Sequence, residues 1–210
     1  MLVAFDFDGT LSDSEMTVLL GEQCGVADEM AAITERAMND EIEYAESLRQ
    51  RCALLEGLSD ARAETAFGDV SLRDGAADVI QDLNDAGVHT AVLTGGFERG
   101  VEAALAKAGA EVDTIVANRL PVEDGELTGD VEGPLIEGTK DTALRDLADD
   151  LDLDLSDTVA VGDGANDLPM LDVAGLAIGF EPKPAVEASC DIVVSSMPEL
   201  QIVLEEERIL

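Results

Sequence analysis

The amino-acid sequence predicts an α/β protein with a doubly wound parallel sheet and a small helical cap inserted after the first strand. A wholly apolar run, residues 2–5, opens the chain and is typical of a strand buried on both faces of a parallel sheet. From residue 75 onward, apolar runs of strand length alternate with helical periodicity, which indicates strand–helix–strand units with right-handed crossovers. Residues 14–71 carry helical spacings alone.

The helical stretch is predicted to be a cap domain, residues 14–71, inserted into a core formed by residues 1–13 and 72–210. Its apolar residues recur at intervals of three and four, and no strand-like alternation interrupts them. Ser12 and Glu15 have the spacing of a capping box, so Glu15 could simply begin a helix.

The core is predicted to alternate helices and strands in chain order. A hairpin is expected within residues 119–130, where a Glu-Asp-Gly-Glu turn lies between short apolar pairs. Prolines at positions 182 and 198 suit the first turns of two late helices. The remaining predicted helices are 76–86, 97–108, 137–151 and 168–174, and the strands after the first are 89–93, 112–117, 158–161, 176–178 and 192–194.

The composition is strongly acidic, with 12 basic against 47 acidic residues and a formal net charge of −35. Disorder is one interpretation of such a charge, but the apolar periodicity and the 46% hydrophobic content favour a folded protein adapted to high salt. So negative a surface would repel nucleic acid and anionic membranes, and neither is expected as a partner.

The three cysteines, Cys24, Cys52 and Cys190, are far apart and form no CxxC pair, which indicates reduced thiols. No apolar run approaches the ~18 residues of a membrane span, and the N-terminus lacks a basic segment. We therefore expect a cytoplasmic protein.

Polar residues follow three of the predicted strands directly. Asp6 and Asp8 come after the first strand, Thr94 and Gly95 after the strand at 89–93, and an Asp- and Asn-containing loop, residues 162–167, after the strand at 158–161. Ligand sites of open α/β sheets lie at the carboxyl ends of strands. A plain turn is an adequate alternative for each segment alone, least so for residues 162–167.

Lys140 is one of three lysines in the chain and is predicted near a helix N-terminus, a poor place for a cation. Salt adaptation would remove a dispensable lysine, so we interpret Lys140 as functional. The single histidine, His89, is isolated, which excludes histidine-based hydrolysis and the usual zinc sites. Carboxylates, an anion cradle and one lysine suit magnesium with a phosphoryl group.

Four segments resemble, in order, the motifs of the haloacid dehalogenase-like phosphatases, which have a Rossmann-like core. They are Asp6-Phe-Asp8-Gly-Thr, Thr94-Gly95-Gly96, Lys140, and Gly162-Asp163-Gly-Ala-Asn166-Asp167. Similarity to the members of this family that hydrolyse phosphoserine extends along nearly the whole chain. Thr94 and Gly9 depart from the serines common there, although Thr94 keeps the hydroxyl.

The resemblance implies that Asp6 attacks phosphorus and that Asp8 acts as general acid and then general base. It also implies that Asp6, the Asp8 carbonyl, Asp163 and Asp167 hold Mg²⁺ as the cofactor.

For the substrate, the resemblance implies two groups of contacts. Thr94, Gly95, Lys140 and Asn166 would bind the phosphoryl end, whereas Glu15 and Arg51 would bind the ammonium and carboxylate of phosphoserine. An ordinary surface arginine is the alternative for Arg51, as a capping box is for Glu15.

The implied function is hydrolysis of a small phosphomonoester, O-phosphoserine, in serine biosynthesis, by a monomer or homodimer. Another phosphomonoester, such as phosphoglycolate, phosphohomoserine or a sugar phosphate, is an alternative substrate. A non-catalytic aspartyl-phosphate receiver is a further alternative, although a receiver needs no cap.

Salt should stabilise this protein strongly. Charges are screened over ~3 Å at 1 M salt but over ~10 Å at 0.1 M, so self-repulsion among the acidic residues should fade as salt is added. The melting temperature, followed by circular dichroism, should rise steeply from dilute buffer to molar KCl. A flat profile would show that the acidic residues are already spaced or paired harmlessly.

Overall fold

A computed structural model describes residues 1–38, 41–137 and 139–210. Six strands form one parallel sheet in the spatial order β3-β2-β1-β6-β7-β8. The sheet strands are β1 (Leu2–Phe5), β2 (His89–Phe97), β3 (Thr114–Asn118), β6 (Thr158–Gly162), β7 (Leu176–Phe180) and β8 (Ile192–Val194). A separate antiparallel hairpin is formed by β4 (Val122–Glu123) and β5 (Glu126–Leu127).

Strand β1 lies inside the sheet, and its side chains are buried on both faces. Val3 and Phe5 belong to one apolar cluster, and Leu2 and Ala4 belong to the other. This double burial is the physical reason for the uninterrupted apolar run at residues 2–5. The predicted fold class, a doubly wound parallel sheet, is confirmed.

Helices cover both faces of the sheet. One cluster contains side chains of α5 (Ala76–Asp85), α6 (Glu98–Ala108) and α10 (Met197–Glu206), together with helices of the insert. The other contains side chains of α7 (Lys140–Asp150), α8 (Leu168–Leu171) and α9 (Pro184–Glu187).

In the described part of the chain between β1 and α5, four helices lie within the predicted cap. They are α1 (Met16–Cys24), α2 (Ala27–Met38), α3 (Tyr44–Ala53) and α4 (Asp60–Asp69). Residues 39 and 40 of the predicted cap lie outside the described residues, and the boundaries 14 and 71 stay a prediction.

The hairpin β4–β5 forms backbone hydrogen bonds with the segment that connects α3 to α4. Gly57 donates to the Leu127 carbonyl (3.0 Å), Leu127 donates to Leu58 (2.8 Å), and Asp60 donates to Gly125 (2.9 Å). Arg99 of α6 adds ion pairs to α4. The insert is thus tied to the core on this side.

One strand is longer than predicted, and one alternative is not observed. The strand predicted at residues 89–93 continues as β2 to Phe97 and resumes pairing with Asn118 after a register shift, so residues 94–96 are not a plain turn. Ser12 does not begin a helix, because α1 starts at Met16 and Glu15 occupies the N-cap position without a side-chain capping bond.

None of the helices in the described part of the chain combines the length and the apolar character that a membrane crossing requires.

Candidate active site

Three buried carboxylates meet at the carboxyl edge of neighbouring strands. Asp6 follows β1 and Asp163 follows β6, and these strands pair directly, so the two residues emerge side by side. Asp167 lies four residues beyond Asp163. One carboxylate oxygen from each of the three residues lies within 4.8 Å of the others.

Lys140 joins this cluster from the first turn of α7. Its Nζ lies 2.5 Å from Oδ1 of Asp6 and 2.6 Å from Oδ1 of Asp167, and the side chain is buried. These two ion pairs explain why a lysine stands at the N-terminal end of a helix.

The cluster holds more negative than positive charge. Burial raises the pKa of Asp6 to about 8, with a further contribution from Asp167 and with Lys140 opposing both. Burial acts to lower the pKa of Lys140, but the charges of Asp167 and Asp6 raise it above its ordinary value. A carboxylate this readily protonated is a poor nucleophile unless another cation lowers its pKa. The hard-oxygen donors and the surplus of negative charge therefore fit Mg²⁺.

Asp8 is in a different electrostatic state from an ordinary carboxylate. Burial, followed by the charges of Glu15 and Asp6, raises the pKa of Asp8 well above its usual value. Among the described residues its buried Oδ1 has no hydrogen-bond partner. This environment favours the protonated form of Asp8 more than water does, which is the direction that a general acid requires.

The loop from residue 162 to 167 is organised by Asp167. Its Oδ2 accepts hydrogen bonds from the backbone N–H groups of Asp163 and Gly164, each at 2.9 Å. Its Oδ1 accepts one from Nδ2 of Asn166 at 3.2 Å. Both oxygens of Asp167 are therefore engaged by the protein.

The Thr94 segment is held by residues on both sides. Thr94 accepts a hydrogen bond from the Gly96 N–H at 2.9 Å, which leaves its own O–H available as a donor. Asn118 donates to the Gly95 carbonyl (3.0 Å) and accepts from the Leu135 N–H (3.0 Å). Asn118 thus fixes the backbone at the end of β2.

A cavity of about 400 Å³ is lined both by these groups of the core and by residues of the insert. Arg51 lines this cavity and is buried, donating from Nη1 to Oγ1 of Thr17 (3.1 Å) and from Nε to the Ser47 carbonyl (3.4 Å). Glu15 lines the same cavity. Arg51 is therefore not an ordinary surface arginine. Glu15 does stand at the N-cap position of α1, but its side chain makes no capping bond, so no capping box forms. Contact of either residue with a substrate stays a prediction.

Tyr44 closes one side of the cavity. Its hydroxyl lies against Gly95, where a Cβ would collide with it. Burial raises the pKa of Tyr44 to about 12, so the hydroxyl keeps its proton. The insert therefore contacts the core directly at the Thr94 segment.

The structure brings all the predicted site residues together. Lys140 and Asp167 contact the Asp6 side chain or its neighbours within the cluster. The cavity is lined by the others, which are Asp6, Asp8, Glu15, Arg51, Thr94, Gly95, Asp163 and Asn166.

Lys183 is a cavity residue that the sequence analysis missed. Its Nζ lies 3.0 Å from Oδ2 of Asp163, and its backbone N–H donates to the Asp163 carbonyl at 2.9 Å. Burial lowers the pKa of Lys183, but the charge of Asp163 raises it above the ordinary value. The scarcity of lysine that singles out Lys140 applies equally to Lys183 and could have identified it.

The comparisons with known proteins agree with this site. A model of the haloacid dehalogenase-like hydrolase family matches residues 3–172, a span that includes the whole carboxylate cluster. The chain belongs to this family.

Haloacid dehalogenase-like relatives of similar length resemble the chain throughout. A phosphoserine phosphatase of Halobacterium salinarum is 56% identical over 208 residues, covering 99% of both chains. One of Methanocaldococcus jannaschii is 40% identical over 194 residues, covering 92% of this chain and 91% of its own.

Solved structures of the same family superpose closely. A phospho-aspartyl intermediate analogue of phosphoserine phosphatase has a TM-score of 0.89 at 38% identity, covering 96% of this chain and 97% of its own. A substrate-bound phosphoserine phosphatase complex has a TM-score of 0.88 at 38% identity, covering 96% of each chain.

Gly9 should be required at the site both for its positive φ and for the space that its missing side chain leaves to Asp163. It has φ +94°, and a Cβ there would lie 2.6 Å from Oδ1 of Asp163. Gly9→Ala should therefore cost about 1 kcal/mol of stability from the backbone and also displace Asp163, lowering kcat/KM at least tenfold, since misplacements of ~1 Å cost up to ~100-fold.

Gly109→Ala is the matched control for the Gly9 variant. Gly109 has φ +68° with open space around the missing Cβ, so its substitution should cost similar stability in urea unfolding without loss of activity. Equal activity of the two variants would contradict a role for Gly9 beside Asp163.

Proposed function

We propose that this chain is a magnesium-dependent phosphatase that hydrolyses O-phosphoserine to serine and phosphate through an aspartyl-phosphate on Asp6. The observation that carries the proposal is the position of the carboxylate–lysine cluster, whose Asp6 and Asp163 line the same cavity as buried Arg51 and exposed Glu15. The family relationship and the phosphoserine phosphatase relatives support it.

Asp6 is the nucleophile in this proposal. Its carboxylate attacks phosphorus, a P–O bond to Asp6 forms, and the bond between phosphorus and the serine oxygen breaks. Lys140 fixes the orientation of Asp6 through their ion pair. Water then displaces the phosphoryl group from Asp6 and regenerates the carboxylate.

Asp8 moves the protons. With its raised pKa it is protonated before attack and gives its proton to the leaving serine oxygen. The Asp8 carboxylate formed in this way then accepts a proton from the hydrolytic water, which returns the site to its starting state.

The phosphoryl oxygens are stabilised by the free O–H of Thr94, by the backbone N–H of Gly95 and by Lys140, with Asn166 at the cavity wall. Asp6, Asp163, Asp167 and the Asp8 carbonyl would hold Mg²⁺. When bound, Mg²⁺ supplies positive charge that stabilises the negative charge on the phosphoryl group.

Arg51 and Glu15 account for selectivity toward phosphoserine. The buried guanidinium of Arg51 is oriented by Thr17 and Ser47, and it suits a carboxylate. Glu15 suits the ammonium group, which phosphoglycolate lacks. A wild-type preference for phosphoglycolate would therefore reject this role of Glu15.

The alternative of a non-catalytic aspartyl-phosphate receiver is tested by turnover. A receiver would stop releasing phosphate after one equivalent, whereas an enzyme would continue.

The acidic composition and the 56% identical Halobacterium relative support the proposal that this serine-producing enzyme works in a salt-rich cytoplasm.

Substitution of the nucleophile should abolish turnover. Asp6→Asn keeps the shape of the side chain but removes the attacking charge, so phosphate release from phosphoserine should fall to background. Asp8→Asn should slow the reaction by roughly 10²–10⁴-fold, the usual contribution of a general acid–base group. Asp150→Asn, an exposed acid on α7, is the control for loss of one charge and should stay active. Steady activity in Asp6→Asn would overturn the assignment.

Arg51 should distinguish substrates. Removing one partner of a desolvated charge pair costs ~2–5 kcal/mol, so Arg51→Ala should lower kcat/KM for phosphoserine at least about thirtyfold. An aryl phosphate without a carboxylate should be much less affected.

Arg49→Ala is the matched control for Arg51, because Arg49 lies on the same helix but is exposed and pairs with Glu137. It should leave the ratio of the two substrates unchanged. Equal losses on both substrates in Arg51→Ala would show that Arg51 is structural.

A further inference from the structure

Among the three clustered carboxylates, Asp163 differs in the partner of its Oδ2 atom. That partner is Lys183, a residue with no part in the proposed reaction. Both oxygens of Asp167 are engaged, by Lys140, Asn166 and backbone N–H groups. Asp6 is the proposed nucleophile and is held by Lys140. Oδ2 of Asp163 is held by Lys183 alone among the described side chains.

Lys183 binds Asp163 through both its backbone and its side chain. The residue precedes α9, and its backbone N–H binds the Asp163 carbonyl while its Nζ binds Oδ2 of the same residue. On its other side, the Asp163 carboxylate packs where Gly9 leaves space for it. The carboxylate therefore has little freedom to rotate, and its two oxygens are not equivalent.

The occupied oxygen matters for the choice of cation. Mg²⁺ requires near-octahedral geometry at short distances and is usually bound by one oxygen of a carboxylate, whereas Ca²⁺ accepts 6–8 oxygens and bidentate carboxylates. An ammonium group on Oδ2 repels a second cation from that oxygen. Asp163 can then offer one oxygen, which is sufficient for Mg²⁺ but poor for Ca²⁺.

We propose that Lys183 is a specificity-determining residue for the metal site, which favours Mg²⁺ over Ca²⁺ by holding Oδ2 of Asp163. This inference rests on the proposed function, because it needs a divalent cation at the three carboxylates. Lys183 acts on the metal through Asp163 and is a positioning residue. Its side chain is 47% exposed, so its ion pair adds little to stability.

Binding measured without substrate tests the inference. MgCl₂ and CaCl₂ are each titrated calorimetrically into the protein in molar KCl, which suppresses binding to the acidic surface. Lys183→Met should lower the ratio of the Ca²⁺ to the Mg²⁺ dissociation constant about fivefold, equivalent to about 1 kcal/mol. Lys183→Gln should also lower this ratio. Lys183→Arg keeps a cationic donor, so its ratio should equal that of the wild-type protein.

Lys107→Met is the matched control. Lys107 lies on α6 and reaches the Gly68 carbonyl (3.4 Å), so its loss changes the net charge equally without touching Asp163. It should leave the ratio unchanged. Asp163→Asn should remove the heat assigned to the site.

The outcomes separate the two proposals. The wild-type protein should show saturable Mg²⁺ binding, and Asp163→Asn should remove it. If no such binding is observed, the proposed metal site is wrong, and the proposed role of Lys183 is wrong with it. If the site binds Mg²⁺ but both dissociation constants change by the same factor in Lys183→Met, Lys183 acts by charge alone. That result would overturn the inference while leaving the proposed function intact.

Discussion

The contact of Lys140 with Asp6 and Asp167 is the interaction on which the rest of the site depends. An unpaired buried carboxylate costs several kcal/mol, and this edge of the sheet buries three. A cation at a helix N-terminus is unfavourable by ~0.3–1 kcal/mol at an exposed position, a smaller cost. The start of α7 at Lys140 is therefore explained by the carboxylates it faces and not by helix preference.

The position of the cluster follows from the order of the strands. From β1 the chain builds the sheet outward through β2 and β3 on one side, and through β6, β7 and β8 on the other. Loops at the carboxyl ends of β1 and β6 therefore diverge and leave a crevice, the usual ligand position in open α/β sheets. Asp6 and Asp163 stand at that crevice because they directly follow these strands.

The fold and the core of the site could be predicted because short, contiguous segments of the sequence determine both. Apolar runs specify β1 and β6, and Asp6 and Asp163 follow them within two residues. The missed features depend on residues far apart in the chain. Asn118 fixes Gly95, and Lys183 binds Asp163, through contacts that no local pattern encodes. The extension of β2 to Phe97 likewise depends on pairing with Asn118, which overrides the turn preference of two glycines.

A protein with a net charge of −35 has to attract an anionic phosphomonoester, and the burial of its cations makes this possible. Arg51 lines the cavity and is 9% exposed, so it acts through a medium of low dielectric constant that salt hardly penetrates, whereas buried Lys140 is already paired with Asp6 and Asp167. The acidic surface, in contrast, lies in water, where molar salt limits its repulsion to ~3 Å. Concentrated salt thus weakens the unfavourable long-range field but leaves the attraction inside the cavity almost unchanged. The acidic surface and the anion site are compatible because one is screened and the other is not.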